Sequence, residues 1–280
     1  MTSATAREAV YDSEILPTPL MGTLRSLHEY SGLIRLLIVR DLTVRYKRSV
    51  LGVWWTILNP LLTAGVMWLV FSAVFRFAIP GGIPFIVYLL SGLLVVGFFG
   101  QGLIVTGNSM VNSTSILTKV YVPPQVFAVA SSAAQSVNFL LSLLPLLLIQ
   151  VIVGVGIPWT ALLLPAPVVL LLALITGLGL MLATVAIRFQ DVMDLIAVGV
   201  TLLTYATPTF YPISIVPEQY QFFVKLNPIY WYVDVFRHLL YGGDLGPGRA
   251  WAIIFVTSSV AFVGGVTLFA RRWRSLAVML

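Results

Sequence analysis

No Asp, Glu, Lys or Arg occurs between residues 120 and 187. A helix crosses the ~30 Å apolar core of a bilayer with about 20 residues, so this stretch is long enough for more than one crossing. Gly154-Val155-Gly156-Ile157-Pro158 is the turn signal that divides it, and spans are expected over 125–153 and 161–187. Residues of the apolar set make up 59% of the 280-residue chain and charged residues 9%, against about 25% charged in soluble domains. The chain reads as one all-α integral membrane domain, with no room for a second large soluble one.

The remaining spans follow from the same rule. Arg35, Arg40, Arg45, Lys47 and Arg48 precede an apolar run that stays charge-free from Ser49 to Phe75, with Trp54 and Trp55 at its start. Bases at anionic headgroups and tryptophans at the interface mark the point where a chain enters a membrane. Further spans are expected over 51–75, 84–107, 192–210 and 251–270, six in all. Residues 23–48 suit a helix lying in the cytoplasmic interface with snorkelling arginines, or a solvated charged helix, and Asp41 and Arg45 are spaced for an i,i+4 pair. The first 22 residues lack the apolar core of a signal peptide and are expected to remain as a cytoplasmic tail, with 275–280 as the cytoplasmic C-terminus. Both ends inside puts 12 bases on the cytoplasmic side and 4 outside, the bias that sets orientation.

Between spans five and six the pattern breaks. Pro212, Pro217 and Pro228 leave helical pieces over 217–226 and 228–241, too short to cross. Asn227-Pro228 fits an N-cap followed by proline at the first helical position. Glu218, Lys225, Asp234, Arg237 and His238 would be costly against lipid but acceptable inside protein or beside water. The stretch reads as a re-entrant hairpin dipping back from the outer side.

Several chemistries are missing. Lys47, Lys119 and Lys225 follow Tyr46, Thr118 and Val224, so no phosphate loop exists. Two histidines and no cysteine leave no basis for a zinc site. No catalytic residue and no metal ligand is expected, and the bases cluster beside apolar runs, which favours lipid headgroups over nucleic acid. Aromatics are the remaining candidates. Most serve packing or anchoring, but Phe98, Phe99 and Tyr205, with Phe210 and Tyr211, sit deep enough to line a passage where sugar rings could stack.

These motifs add up to a resemblance. Arg40-Asp41-Leu42, Val44-Arg45-Tyr46-Lys47, Ser49, Leu51-Gly52, Trp55 and Pro60 resemble the entrance motif of ABC-2 type permeases of polysaccharide exporters, nearest the Wzm-type group of O-antigen, teichoic acid and galactan export. Lys119-Val120-Tyr121-Val122-Pro123 resembles their cytoplasmic loop, and Thr207-Pro208, Tyr211-Pro212, Leu226-Asn227-Pro228 and Phe236-Arg237 their outer region. Thr118, Pro124 and Gln190 depart from the pattern, which touches the contact with the ATPase. The resemblance implies a transporter subunit rather than an enzyme, in the plasma (inner) membrane with both termini cytoplasmic. It implies a homodimer of permeases with two ATP-binding cassette subunits, which hold the ATP and Mg that this chain does not. The implied cargo is a polyprenyl-pyrophosphate-linked glycan, with cell-wall galactan preferred because arginine outnumbers lysine 13 to 3, a hint of a GC-rich genome. It further implies pyrophosphate attraction by Arg35, Arg40, Arg45, Lys47 and Arg48, a role that simple topology anchoring fits equally well. ATPase coupling falls to Asn112, Ser113, Thr118, Lys119, Tyr121 and Asp191, and an outer gate to Glu218, Lys225, Asn227, Pro228, Asp234 and Arg237. An ABC-2 exporter of drugs or small amphiphiles shares the fold, and a membrane-embedded glycosyltransferase is a more distant alternative.

Overall fold

Every regular element in the computed structural model is helical, among the described residues 19–47, 49–74, 79–117, 122–189 and 191–276. In chain order these are α1 (Pro19–Glu29), α2 (Ser31–Tyr46), α3 (Trp54–Val74), α4 (Phe85–Gly107), the one-turn α5 (Ser109–Asn112) and α6 (Thr114–Leu117), and α7 (Gln125–Ile152). They continue with α8 (Pro165–Ala186), α9 (Asp191–Ala206), α10 (Glu218–Leu226), α11 (Pro228–Arg237) and α12 (Gly248–Leu276). Four are long and apolar enough to cross a membrane: α4, α7, α8 with the 3₁₀ turn that leads into it from Trp159, and α12 as far as Arg272. The chain is a multi-pass membrane protein. At 1.5 Å per residue the 16 residues of α9 reach about 24 Å, short of the hydrocarbon thickness. The helix expected over 23–48 is two helices, broken at Tyr30, whose φ of −96° and ψ of 18° lie outside the helical region.

Helix α4 is the centre of the bundle, packed against α3, α7, α8, α9 and α11. Its most apolar stretch is 72% buried, whereas that of α12 is 33% buried, because α12 turns Phe255, Val256 and Val260 outward. Lipid tails are as apolar as leucine, so helices in a bilayer gain little from hiding apolar side chains from each other and associate through close contact instead. The α8–α12 crossing uses this. A Cβ built on Gly177 would lie 2.3 Å from the carbonyl of Ala261, and one on Gly265 would lie 2.1 Å from the Gly177 oxygen.

Polar side chains tie the bundle where the backbone leaves groups open. Pro60 inside α3 has no N–H for the Thr56 carbonyl, and Ser142 of α7 donates to that oxygen at 3.2 Å. Tyr232 of α11 pairs its hydroxyl with Ser258 of α12, which donates in turn to Leu170 O of α8 at 2.8 Å. Where α11 ends in a π-turn over His238–Gly242, Gln150 donates to Leu240 O at 2.6 Å and Thr160 to Leu239 O at 2.9 Å. Asn227 caps α11 by accepting from Ile229 N at 2.9 Å, with Pro228 at its first position.

Gly177→Ala is expected to cost roughly 1–3 kcal/mol by forcing α8 and α12 apart. Gly32→Ala, at an exposed helical position with no neighbour inside 4 Å, is expected to raise stability by about 0.4–1 kcal/mol. Thermal unfolding of the purified protein, followed by tryptophan fluorescence, checks both.

Candidate functional site

At the C-terminal end of α2 the charges pair differently from their spacing. Asp41 accepts from Arg40, at 3.1 Å from Nε and 2.8 Å from Nη2, and not from Arg45. A guanidinium that reaches one carboxylate oxygen with two N–H groups outcompetes a single reach across one turn. Arg45 makes no ion pair or hydrogen bond among the described residues and borders two cavities.

The first cavity, of about 590 Å³, lies between α3, α4 and α7 and is walled by Trp55, Asn59, Thr63, Gln101, Phe98 and Ser142 among others. The second, of about 480 Å³, lies between α2, the α5–α6 turn and α7, with Arg40, Asp41, Ser109, Asn112, Ser113 and Ser131 on its walls. Arg45, Gln135 and Asn138 border both. The partition between them is a hydrogen-bonded hub. The Tyr46 hydroxyl donates to Asn138 Oδ1 at 2.7 Å and accepts from Thr56 Oγ1 at 2.5 Å, and Asn138 Nδ2 donates to Gln135 Oε1 at 3.3 Å. One tyrosine thus fixes α2, α3 and α7 relative to each other. A chain of neutral amides and hydroxyls beside an unpaired guanidinium can hold an anion and many hydroxyl groups, and offers no nucleophile or general base of unusual strength.

The expected site residues divide accordingly. Arg40 and Arg45 face these cavities with Asn112 and Ser113. Arg35 and Lys47 are exposed and border neither. Arg48, Thr118, Lys119 and Tyr121 lie outside the described residues. Asp191 opens α9 with Asp194 one turn on. Phe99 and Phe210 are packing residues here, 6% and 7% exposed. Phe98 is also buried, stacked on Phe139 with centroids 4.6 Å apart, and reaches the cavity by an edge. Tyr205 is 59% exposed and stacks on Phe210. Tyr211 is half-buried and donates to Tyr205 O at 3.2 Å. The residues missed from sequence are Tyr46, Thr56, Asn59, Gln101, Gln135 and Asn138. Their signal is a polar stripe, Ser131, Gln135, Asn138 and Ser142, at helical spacing on a single face of α7.

On the other side of the bundle Arg237 holds α11 to α4. It donates to Pro208 O at 2.9 Å, Tyr88 O at 3.1 Å and Ser91 Oγ at 3.4 Å, and its guanidinium lies 3.5 Å over the Tyr88 ring. Tyr88 donates to Pro208 O and Tyr211 O, at 3.1 and 2.9 Å. Gly92 leaves the room, since a Cβ there would sit 2.9 Å from Arg237 Nη2. Asn227 Nδ2 donates to Thr207 Oγ1 at 2.9 Å and Trp231 Nε1 to Lys225 O at 2.8 Å. Glu218 and Lys225 are exposed on α10. Burial raises the Asp234 carboxyl above its ordinary value, against the pull of His238, Arg237 and Arg249. For Asp244, slight burial raises the carboxyl. The hydrogen bonds from His238, at 2.5 Å, and from the Gly246 amide outweigh that and hold it low. The stabilisation from Asp244 is therefore present above the ordinary carboxylate value and is lost as pH falls through the depressed one.

A family model described as ABC-2 type transporter matches residues 32–241. Over 260 residues the chain is 29% identical to the O-antigen export system permease protein RfbA of Myxococcus xanthus, covering 92% of this chain and 99% of that protein. It is 25% identical over 254 residues to a Klebsiella pneumoniae protein of the same description, covering 89% and 96%. It is 22% identical over 240 residues to the polysialic acid transport protein KpsM of Escherichia coli, covering 85% and 93%.

Arg237→Met is expected to cost at least about 2 kcal/mol, because charged hydrogen bonds are worth ~1.5–3 kcal/mol each. Amide hydrogen exchange should then rise in residues 207–241. Arg237→Lys, with one point of charge in place of a fork, restores only part of the protection.

Proposed function

Because the chain belongs to the ABC-2 type transporter family, we propose that it is the permease subunit of an ATP-driven exporter of lipid-linked polysaccharide. Two copies pair in the plasma membrane with two ATPase subunits, which bind ATP and Mg. The cargo is a glycan on a polyprenyl pyrophosphate, of the O-antigen, teichoic acid or, preferentially, cell-wall galactan kind. The chain crosses six times with both ends in the cytoplasm, using α3 and α9, the latter completed by residues 207–210, as well as the four longer helices, and α10–α11 form the re-entrant outer gate.

The names of the relatives support a polysaccharide over a drug or small amphiphile. The observation that carries the reading is the pair of cavities meeting at Arg45, whose otherwise largely apolar walls carry an unpaired guanidinium and several side-chain amides and hydroxyls. A pyrophosphate with sugars attached needs a cation next to hydrogen-bonding groups, and Arg45 with Gln135 and Asn138 supplies both. Arg40 and Arg45 supply the attraction at the cytoplasmic face, each base near an anionic surface contributing on the order of 1 kcal/mol. Asn112 and Ser113, on the wall of the same cavity as Arg40, carry the closure of the ATPase to the cargo. Thr118, Lys119, Tyr121 and Asp191 complete that contact.

Depletion of the protein in its own host, with fractionation of polyprenyl-linked glycans, tests this. Full-length lipid-linked glycan is expected to accumulate inside the cell, and its sugar identifies the cargo. Normal glycan levels with altered sensitivity to small amphiphiles would instead mark an exporter of such compounds.

A further inference from the structure

The cavity between α3, α4 and α7 has a composition that the export reading does not by itself require. Gln101, exposed on the charge-free α4, and Asn59, exposed on α3, both line this cavity, and the Gln101 amide makes no hydrogen bond among the described residues. On α3 the Asn59 Nδ2 is equally without a partner, since only Oδ1 is engaged, accepting from Thr63 Oγ1 at 3.4 Å. A side-chain amide facing hydrocarbon costs several kcal/mol, so two of them on neighbouring helices point to a polar occupant. Thr56, Asn59 and Thr63 lie on a single face of α3, and the 1.5 Å rise carries that stripe about 10 Å away from the Tyr46 hub. Trp55 stands half-exposed on the same wall.

We propose that this cavity is a docking site for a single sugar ring, the one attached directly to the lipid's phosphates, with Asn59 and Gln101 as its hydroxyl partners. The inference rests on the lipid-linked cargo proposed above and deepens it. Amides both donate and accept, which is what a ring of hydroxyls demands. No described residue lining the cavity is acidic and Arg45 is basic, so the site disfavours a metal or an organic cation. An acyl chain would leave both amides unsatisfied. The volume of about 590 Å³ falls within the ~300–1,000 Å³ of small-molecule sites. Arg45 at the junction with the second cavity places the positive charge beside the ring, where the phosphates follow. Trp55 offers an aromatic face to the ring's C–H groups. The site therefore reads the first sugar while the rest of the glycan is indifferent to it, and export selects its cargo at the lipid-proximal end.

The test uses the permease assembled with its ATPase partner in lipid nanodiscs and two probes, farnesyl diphosphate and the same diphosphate carrying one hexose. Two amide–hydroxyl hydrogen bonds are worth about a tenfold preference for the glycosylated probe. Asn59→Leu combined with Gln101→Leu should bring that ratio to about one and leave farnesyl diphosphate binding as it was, which also reports that the variant is folded. Equal binding of both probes by the unaltered protein overturns the sugar site and leaves the pyrophosphate reading standing, as does a tenfold preference that survives in the variant. Failure of the unaltered protein to bind either probe contradicts the lipid-linked cargo itself.

Discussion

A polar group inside a bilayer has no water to fall back on, and it either finds a partner in the protein or faces a wet cavity. Most of this molecule's internal polar groups take the first course. Ser142 supplies the donor that Pro60 withholds from Thr56, Gln150 and Thr160 answer the carbonyls of the π-turn after α11, and Arg237 spreads its charge over the oxygens of Tyr88, Pro208 and Ser91. These bonds join helices distant in sequence and do so where apolar contact alone gives little preference for a protein neighbour over lipid. Gln101, Asn59 and Arg45 take the second course, and they are the residues that surround the cavities. The division between glue and site follows from which polar groups are left over.

Two regions are held rigidly and one is held by little. Glycine-mediated contact locks α8 to α12, and the Arg237–Tyr88 stack locks α11 to α4. Helix α3 packs on α4 and α7 along one side, while Leu62, Val66 and Leu69 face outward. The Tyr46 hub ties α2 to α3 and α7 at the wall of the first cavity. The α5–α6 turn contributes Asn112 and Ser113 to the neighbouring cavity, so that turn shares one wall with Arg40 and Arg45.

Much of the fold was legible because charge-free length is a direct measure of bilayer thickness. The turn signal over residues 154–158 separates α7 from α8 in the structure, and Asn227-Pro228 starts α11 where the capping chemistry required. The break at Tyr30 was signalled only by Ser31-Gly32 beside it, a turn dipeptide that the charge pattern of residues 23–48 overrode. The Asp41 pairing was misread because spacing along a helix ranks neighbours by distance and ignores the fork of an adjacent arginine. The site was harder still. Counting charges drew attention to Arg45 and away from Gln101, Gln135 and Asn138, which carry no charge and so do not interrupt the charge-free lengths that place the spans. Their helical stripe was present in the sequence, but which helices it would face, and that Gln101 would join it from α4, depended on tertiary packing.

The chain has no cysteine, which makes site-directed thiol labelling a direct probe of the proposal that the cavities meeting at Arg45 receive the cargo from the cytoplasm. Gln101→Cys and, as a lipid-facing control, Leu148→Cys would be exposed to a membrane-impermeant maleimide in inside-out vesicles bearing the assembled transporter. Labelling at position 101, little at 148, and protection of 101 in vesicles from cells that accumulate lipid-linked glycan is the predicted result. A thiol at 101 that stays unreactive, or that reacts equally whether or not glycan is present, would contradict the account.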